Sequence, residues 1–185
     1  LTVLKLPSWS EEEVLAGKNP LVMVLEDLQD PGNMGTIFRT AEGAGVDGIF
    51  MSTNCVDIYN PKTIRATMGS VYRVPFVYAE DLKQVLATLK EAGITSYAAH
   101  LKGTKYYDSF DFRKGTAFLI GNEGNGLSDE IADLADTYIK IPMCGQVESL
   151  NAAISASLLM YETNRQRRIR SMSQDRMSNI RKVEE

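Results

Sequence analysis

Residues 21–52 read LVMVLEDLQDPGNMGTIFRTAEGAGVDGIFMS, and this stretch decides the fold. Leu21–Leu28 is an apolar run of strand length. Asp30-Pro31-Gly32 is a turn signal. Asn33–Ala44 then predicts a helix that Asn33 can cap, and Gly48–Ser52 predicts a second strand.

The alternation continues outward. Asn60 before Pro61 starts a helix that runs to about Met68. Pro75–Tyr78 reads as a third strand. Asp81–Glu91 carries apolar residues at 82, 85, 86 and 89, an amphipathic helix ended by Gly93. Ser96–Leu101 and Thr116–Ile120 are the fourth and fifth strands, Ser128–Leu134 is a capped helix, and Tyr138–Ile141 is the sixth strand. Ser149 reads as the cap of a long last helix, apolar through Tyr161 and basic beyond. Upstream, Leu1–Leu6 suggests a short strand broken by Pro7, and Ser10 before Glu11, Glu12 and Glu13 a capped helical turn. Residues 1–20 together look like a connector. Strands alternating with helices define an α/β domain with a mostly parallel sheet, whose ligands bind beyond the carboxyl ends of the strands.

Composition narrows the classes. The chain has 185 residues, 44% hydrophobic and 24% charged, which excludes a largely disordered or collagen-like protein. No apolar run approaches the ~18 residues a membrane span needs, and no secretory signal pattern is visible. Two distant cysteines, Cys55 and Cys144, and a single histidine, His100, exclude a Cys/His zinc site of standard spacing. They point to a reducing cytoplasm without a disulfide framework. The net charge is −4, but residues 165–185 hold seven basic and three acidic side chains, a net of +4, so the preceding 164 residues carry −8. The basic end could meet phosphate, but from charge alone a solvated helix end is the preferred reading.

Three strand-end loops have unusual composition. The first, Glu26 through Arg39, has Gly32 and Gly35 for close backbone approach, Asn33, and Arg39 about one and a half turns into the helix, expected to face back toward the loop. An arginine there could hold a phosphate in bidentate fashion; on composition alone an ordinary surface arginine is the preferred reading. The second, Gly121-Asn122-Glu123-Gly124-Asn125-Gly126-Leu127-Ser128, has neither the dinucleotide spacing G-x-G-x-x-G nor a P-loop lysine. Glu123 within it calls for a hydrogen-bonding partner. The third, Ile141-Pro142-Met143-Cys144-Gly145-Gln146-Val147-Glu148-Ser149-Leu150-Asn151, offers Ser149 and Asn151 toward the same end, with Cys144 read as a packing residue. No nucleophile elbow surrounds Ser149. Taken chemically, the loops outline a cleft for a small polar ligand plus an anion.

In this order, the loops resemble the three signature motifs of the SpoU/TrmH family of RNA 2′-O-ribose methyltransferases. The motifs appear as Asn33-Met34-Gly35 through Arg39, as Leu119 through Leu127, and as Ile141-Pro142-Met143 through Glu148-Ser149-Leu150-Asn151. The resemblance spans residues 21–165. It implies a SPOUT-type parallel sheet flanked by helices with a C-terminal trefoil knot, S-adenosyl-L-methionine as cofactor, RNA as substrate, and a homodimer whose active site draws on both subunits, with neither a metal nor a membrane involved. It assigns cofactor contacts to Gly121, Asn122, Gly124, Ile141, Met143 and Leu150, with His100 and Leu101 at the end of the fourth strand. It assigns catalysis to Arg39, which would bind a substrate phosphate and favour the ribose alkoxide, and to Asn33, Glu123, Ser149 and Asn151, which would orient Arg39 and the ribose. It also implies an N-terminal RNA-binding domain preceding residues 1–20, with 166–185 as a basic helical extension. Ribosomal RNA is the favoured substrate. Transfer RNA, methylation of a base atom, a knotted RNA-binding module without catalysis and a plain nucleotide-binding domain stand as alternatives.

Overall fold

In a computed structural model, the backbone of residues 6–184 and the side chains of 6–169 are described. The strand expected at Leu1–Leu6 therefore lies outside the described residues, except for Leu6. Six strands form one sheet: β1 (Leu21–Leu25), β2 (Gly48–Ser52), β3 (Phe76–Ala79), β4 (Thr95–Ala99), β5 (Thr116–Ile120) and β6 (Thr137–Ile139). All pairings are parallel, in the order β3-β2-β1-β5-β4-β6. The helices are α1 (Glu11–Leu15), α2 (Pro31–Ala44), α3 (Pro61–Thr67), α4 (Leu82–Glu91), α5 (Asp129–Ala132) and α6 (Ala152–Glu184).

A parallel sheet must be covered on both faces, and its strands read as continuous apolar runs. β1 shows how this works. Leu21, Met23 and Leu25 join Ile37 and Phe38 of α2 and Ala156 and Leu159 of α6 in one core. Val22 and Val24 point the other way and pack with Val14 of α1, Leu86 and Leu89 of α4 and Ile131 of α5. Chain order reverses between β1 and β5, so the carboxyl ends of β1, β4, β5 and β6 surround a switch point where α/β sheets take ligands.

Three local expectations are corrected. The first strand stops at Leu25, because Asp27 turns the chain with φ +53° and donates its N–H to Ser52 Oγ. The following helix begins at Pro31, two residues before the expected start. Its cap is Asp30, whose carboxylate accepts from the Asn33 N–H at 2.7 Å, so Asn33 is freed for other bonds. The last helix is capped by Asn151, not Ser149: Asn151 Oδ1 accepts from Ala153 N at 2.9 Å and Ile154 N at 3.2 Å.

The connection between β4 and β5 is held to the end of β6 and to α6. The N–H groups of His100 and Tyr107 donate to the carbonyls of Ile139 and Lys140, and Lys140 N–H donates to Lys105. Gly103 lies so close to β6 that a Cβ there would meet the Ile139 carbonyl carbon at 2.8 Å. On α6, Gln166 Nε2 donates to Phe110 O, and Arg167 donates to the carbonyls of Phe112 and Lys114. Burial among these carbonyls lowers the Arg167 pKa below the usual guanidinium value. α6 runs unbroken through position 165, and Gln166 and Arg167 belong to the folded body.

Candidate functional site: a cleft at the carboxyl ends of β4, β5 and β6

The glycine loop after β5 is a tight ring. Asn122 and Gly126 exchange backbone hydrogen bonds of 3.0 and 2.8 Å, and Gly126 adopts φ +73°. A Cβ on Gly121 would fall 2.0 Å from Leu127 N, so only glycine lets the ring close. Asn122 holds it from inside: its Oδ1 accepts from Gly124 N at 2.8 Å, and its Nδ2 donates to Asp27 O at 2.8 Å.

Above this ring lies a cleft of about 300 Å³, the lower end of the range for small-molecule sites. Its lining includes all eight residues expected to contact a cofactor: His100, Leu101, Gly121, Asn122, Gly124, Ile141, Met143 and Leu150. Ala99, Ile120, Leu127 and Ile139 give it an apolar floor, and Asn122, Glu123, Glu148, Ser149 and Lys140 give it polar edges. A nucleoside carrying an amino-acid tail requires that mixture. Lys140 was not singled out in the sequence, where it is one lysine inside a strand; the bridge between Tyr106 and Lys140 places it at the cleft.

Beside the cleft, Glu123 leaves the ring and reaches the start of α2. Its carboxylate accepts from Gln29 N at 3.1 Å, Asp30 N at 3.0 Å and Asn33 Nδ2 at 3.0 Å. Burial pushes this carboxyl upward, but the three donors outweigh it and the pKa lies below the ordinary glutamate value. Asn33 Oδ1 in turn accepts from Asn151 Nδ2 at 2.9 Å. Glu123, Asn33 and Asn151 thus form a single chain of hydrogen bonds joining all three loops, with Ser149 on the cleft wall nearby.

Glu26, at the end of β1, makes the reverse connection. Its carboxylate accepts from Ser128 N at 2.7 Å and from Ser128 Oγ at 2.6 Å, while Ser128 Oγ accepts from Ile131 N and caps α5. Each loop therefore places a carboxylate on the backbone of the other. No motif in the sequence marks Glu26, since its partner lies beyond four intervening strands.

Arg39 is not part of this arrangement within one protomer. It lies on the exposed side of α2, and its side chain makes no hydrogen bond or ion pair among the described residues. The expectation that it faces back toward the loops is corrected: six residues past Asn33, helical rotation carries it about 240° around the axis. Cys144 is also corrected, being exposed instead of packed. Among the described residues, no cluster of His, Cys, Asp or Glu could hold a metal ion, and no helix is long and apolar enough to cross a membrane.

A parallel sheet with a glycine-ring cleft at its switch point, flanked by an acid–amide hydrogen-bond chain, defines a small-molecule-binding α/β domain. The sequence matches the SpoU rRNA methylase family over residues 20–161, and the chain belongs to that family. It is 40% identical over 146 residues to an uncharacterized tRNA/rRNA methyltransferase of Synechocystis, covering 79% of this chain and 53% of that protein. It is 34% identical over 140 residues to the Bacillus subtilis 23S rRNA (guanosine(2553)-2′-O)-methyltransferase RlmP, covering 76% of this chain and 56% of that one. The structure is similar to that of the SpoU methyltransferase AviRb from Streptomyces viridochromogenes in complex with AdoMet, with TM-score 0.81 and 31% identity over 87% of this chain and 63% of the other. The chain spans little more than half the length of the curated relatives it matches, 53% and 56% for the two named.

Proposed function

We propose that this domain transfers a methyl group from S-adenosyl-L-methionine to a ribose 2′-hydroxyl of RNA, with ribosomal RNA favoured. The observation that carries the reading is the cleft beside the Glu123–Asn33–Asn151 chain, in a member of the SpoU family. The donor supplies an electrophilic methyl on a positively charged sulfur. The protein's part is to hold and orient. The ring at Gly121–Gly126 and the backbone at Ile141 and Leu150 would hold the donor, Ile120 and Leu127 would exclude water from it, and Glu123 and Glu148 would supply negative charge beside its cationic sulfur. Asn33 and Asn151 fix each other's amides, so that Asn151 and Ser149 present polar groups to the ribose.

Arg39 would bind a phosphate of the substrate and favour loss of the hydroxyl proton. Its outward position supports a role across a subunit boundary. The surface beside it supports a second copy of the chain: Ile154, Leu158 and Tyr161 of α6 are exposed at helical spacing, 49%, 36% and 52%, next to the α2 side chain Thr40, which meets Ser157. In this assembly the arginine of one protomer enters its partner's cleft. The grip of residues 100–107 on β6, and of α6 on residues 110–114, supports a threaded, knotted C-terminal segment. The same reading places the protein in the cytoplasm, with both thiols free.

Calorimetry tests the cofactor directly: the chain is expected to bind S-adenosylmethionine and neither NAD nor ATP, and the opposite preference would overturn the reading. Arg39→Ala is expected to retain donor binding and lose roughly 10²–10³-fold in methyl transfer; unchanged transfer would remove Arg39 from the mechanism.

A further inference from the structure

The segment after the Asn60 cap has an unusual charge for this chain. Residues 58–79 hold Lys62, Arg65 and Arg73 and no acidic side chain, in a body that is otherwise strongly acidic. Lys62, Arg65, Met68 and Tyr72 are all exposed and recur at three- and four-residue intervals along α3 and the 3-10 turn at Ser70–Tyr72. Two of the four are not the residues a solvated face selects: Met68 is 68% exposed and Tyr72 48%. Met68 also takes a left-handed conformation, φ +51°, followed by Gly69 at φ +88°. A bulky side chain seldom adopts that region, and here it turns an apolar side chain into solvent.

This stripe adjoins Arg39. α2 and α3 meet where Gly35 faces Ala66, so closely that a Cβ on Gly35 would lie 2.3 Å from that of Ala66. Arg39 is one turn beyond Gly35, Lys62 one turn before Ala66, and Arg65 its neighbour, so the three cations flank one crossing point. None of the three side chains makes a hydrogen bond or ion pair among the described residues. Glu42, the acid one turn after Arg39, is already occupied: it accepts from Ser70 Oγ and pairs with Arg73. Arg73 is thereby paired, while the side chains of Arg39, Lys62 and Arg65 have no acidic partner among the described residues.

We infer that this face of α2 and α3 is the docking track for the RNA strand flanking the target nucleotide. Arg65 and Lys62 hold its phosphates, and Tyr72 and Met68 offer apolar surfaces to unstacked bases. Unpaired cations interleaved with an exposed aromatic are the combination single-stranded nucleic acid binds. The inference rests on the proposed RNA substrate and adds where on the body that RNA lies.

The test uses the whole chain and a labelled 12-nucleotide oligouridine titrated across a salt series. Each phosphate contact to a single strand contributes about 0.7 to the slope of log K against log salt, so the Lys62→Ala, Arg65→Ala double variant is expected to lower that slope by about 1.4. Tyr72→Ala is expected to weaken binding about fivefold or more. Lys90→Ala, on α4 across the sheet, is the control and is expected to change neither. A slope unchanged in the double variant would overturn the track and move the phosphate contacts elsewhere, the basic end of α6 first. Donor binding, read by calorimetry on the same proteins, is expected to be equal in all of them. Its absence in the unaltered chain would sink the methyltransferase reading, while the salt slopes would still decide where an RNA strand binds.

Discussion

Glu26 and Glu123 answer each other across the switch point, and their different partners separate their roles. Glu26 holds the exit of the glycine ring through Ser128, so Glu26→Ala should loosen the ring and weaken S-adenosylmethionine binding about tenfold, with turnover at saturating donor much less affected. Glu26→Gln should retain most of the affinity, since its amide oxygen can still accept from Ser128 N and its amide nitrogen can donate to Ser128 Oγ. Equal losses in the two variants, measured by calorimetry, would count against a positioning role. Glu123 gives a pH signature. Its pKa is depressed in the folded state, so its contribution to stability is complete above the ordinary glutamate value of ~4.3 and is lost as pH falls through the folded value. Glu123→Gln should therefore lower the melting temperature at neutral pH and have progressively less effect toward strongly acidic pH, as scanning calorimetry at several pH values would show.

At the scale of elements, α2 is the part whose setting matters most, and Gly35 controls it. Glycine inside a helix ordinarily costs about 1 kcal/mol against alanine. Here alanine would drive a methyl group into Ala66, so Gly35→Ala should destabilise instead, lowering the melting temperature by several degrees for each ~2 kcal/mol of clash. A rise in melting temperature would mean that α3 moves aside freely. The same element shows where sequence reading reached its limit. Both Asp30 and Asn33 are capping residues, and Asp30-Pro31-Gly32 reads as a turn; Pro31 at the first helical position settles the start at Asp30. Between Ser149 and Asn151, the decision comes from Asn33, which anchors the Asn151 amide from a distant loop. Strands and helix faces were legible because periodicity is local, and the eight cleft residues were named through the family resemblance that the three motifs carry. The order of β5 between β1 and β4 was not, since every residue of β1 and β5 is buried and apolar runs of this kind carry no register. Glu26, Lys140 and the outward side of Arg39 likewise depend on contacts or rotations that spacing alone does not encode.

At the scale of the whole molecule, the separation of Arg39 from the cleft in one protomer lets the proposed role across a subunit boundary be tested by mixing. If the arginine serves its partner, then Arg39→Ala and Asn151→Ala chains, each inactive alone, should regain activity when mixed and allowed to exchange. Random pairing gives half mixed dimers with one intact site each, about a quarter of the unaltered activity. No recovery on mixing, with both variants folded and dimeric by sedimentation, would return the arginine to its own protomer's cleft.

The paired carboxylates carry a lesson for anyone recombining such domains. Transplanting the glycine ring from a relative, to change the donor analogue accepted, would exchange one half of a lock whose other half stays behind on the first crossover. Chimeras should work only when Glu26–Asn33 and Gly121–Ser128 travel together, and a library that swaps them separately should be populated mainly by proteins that fold but no longer grip their ligand.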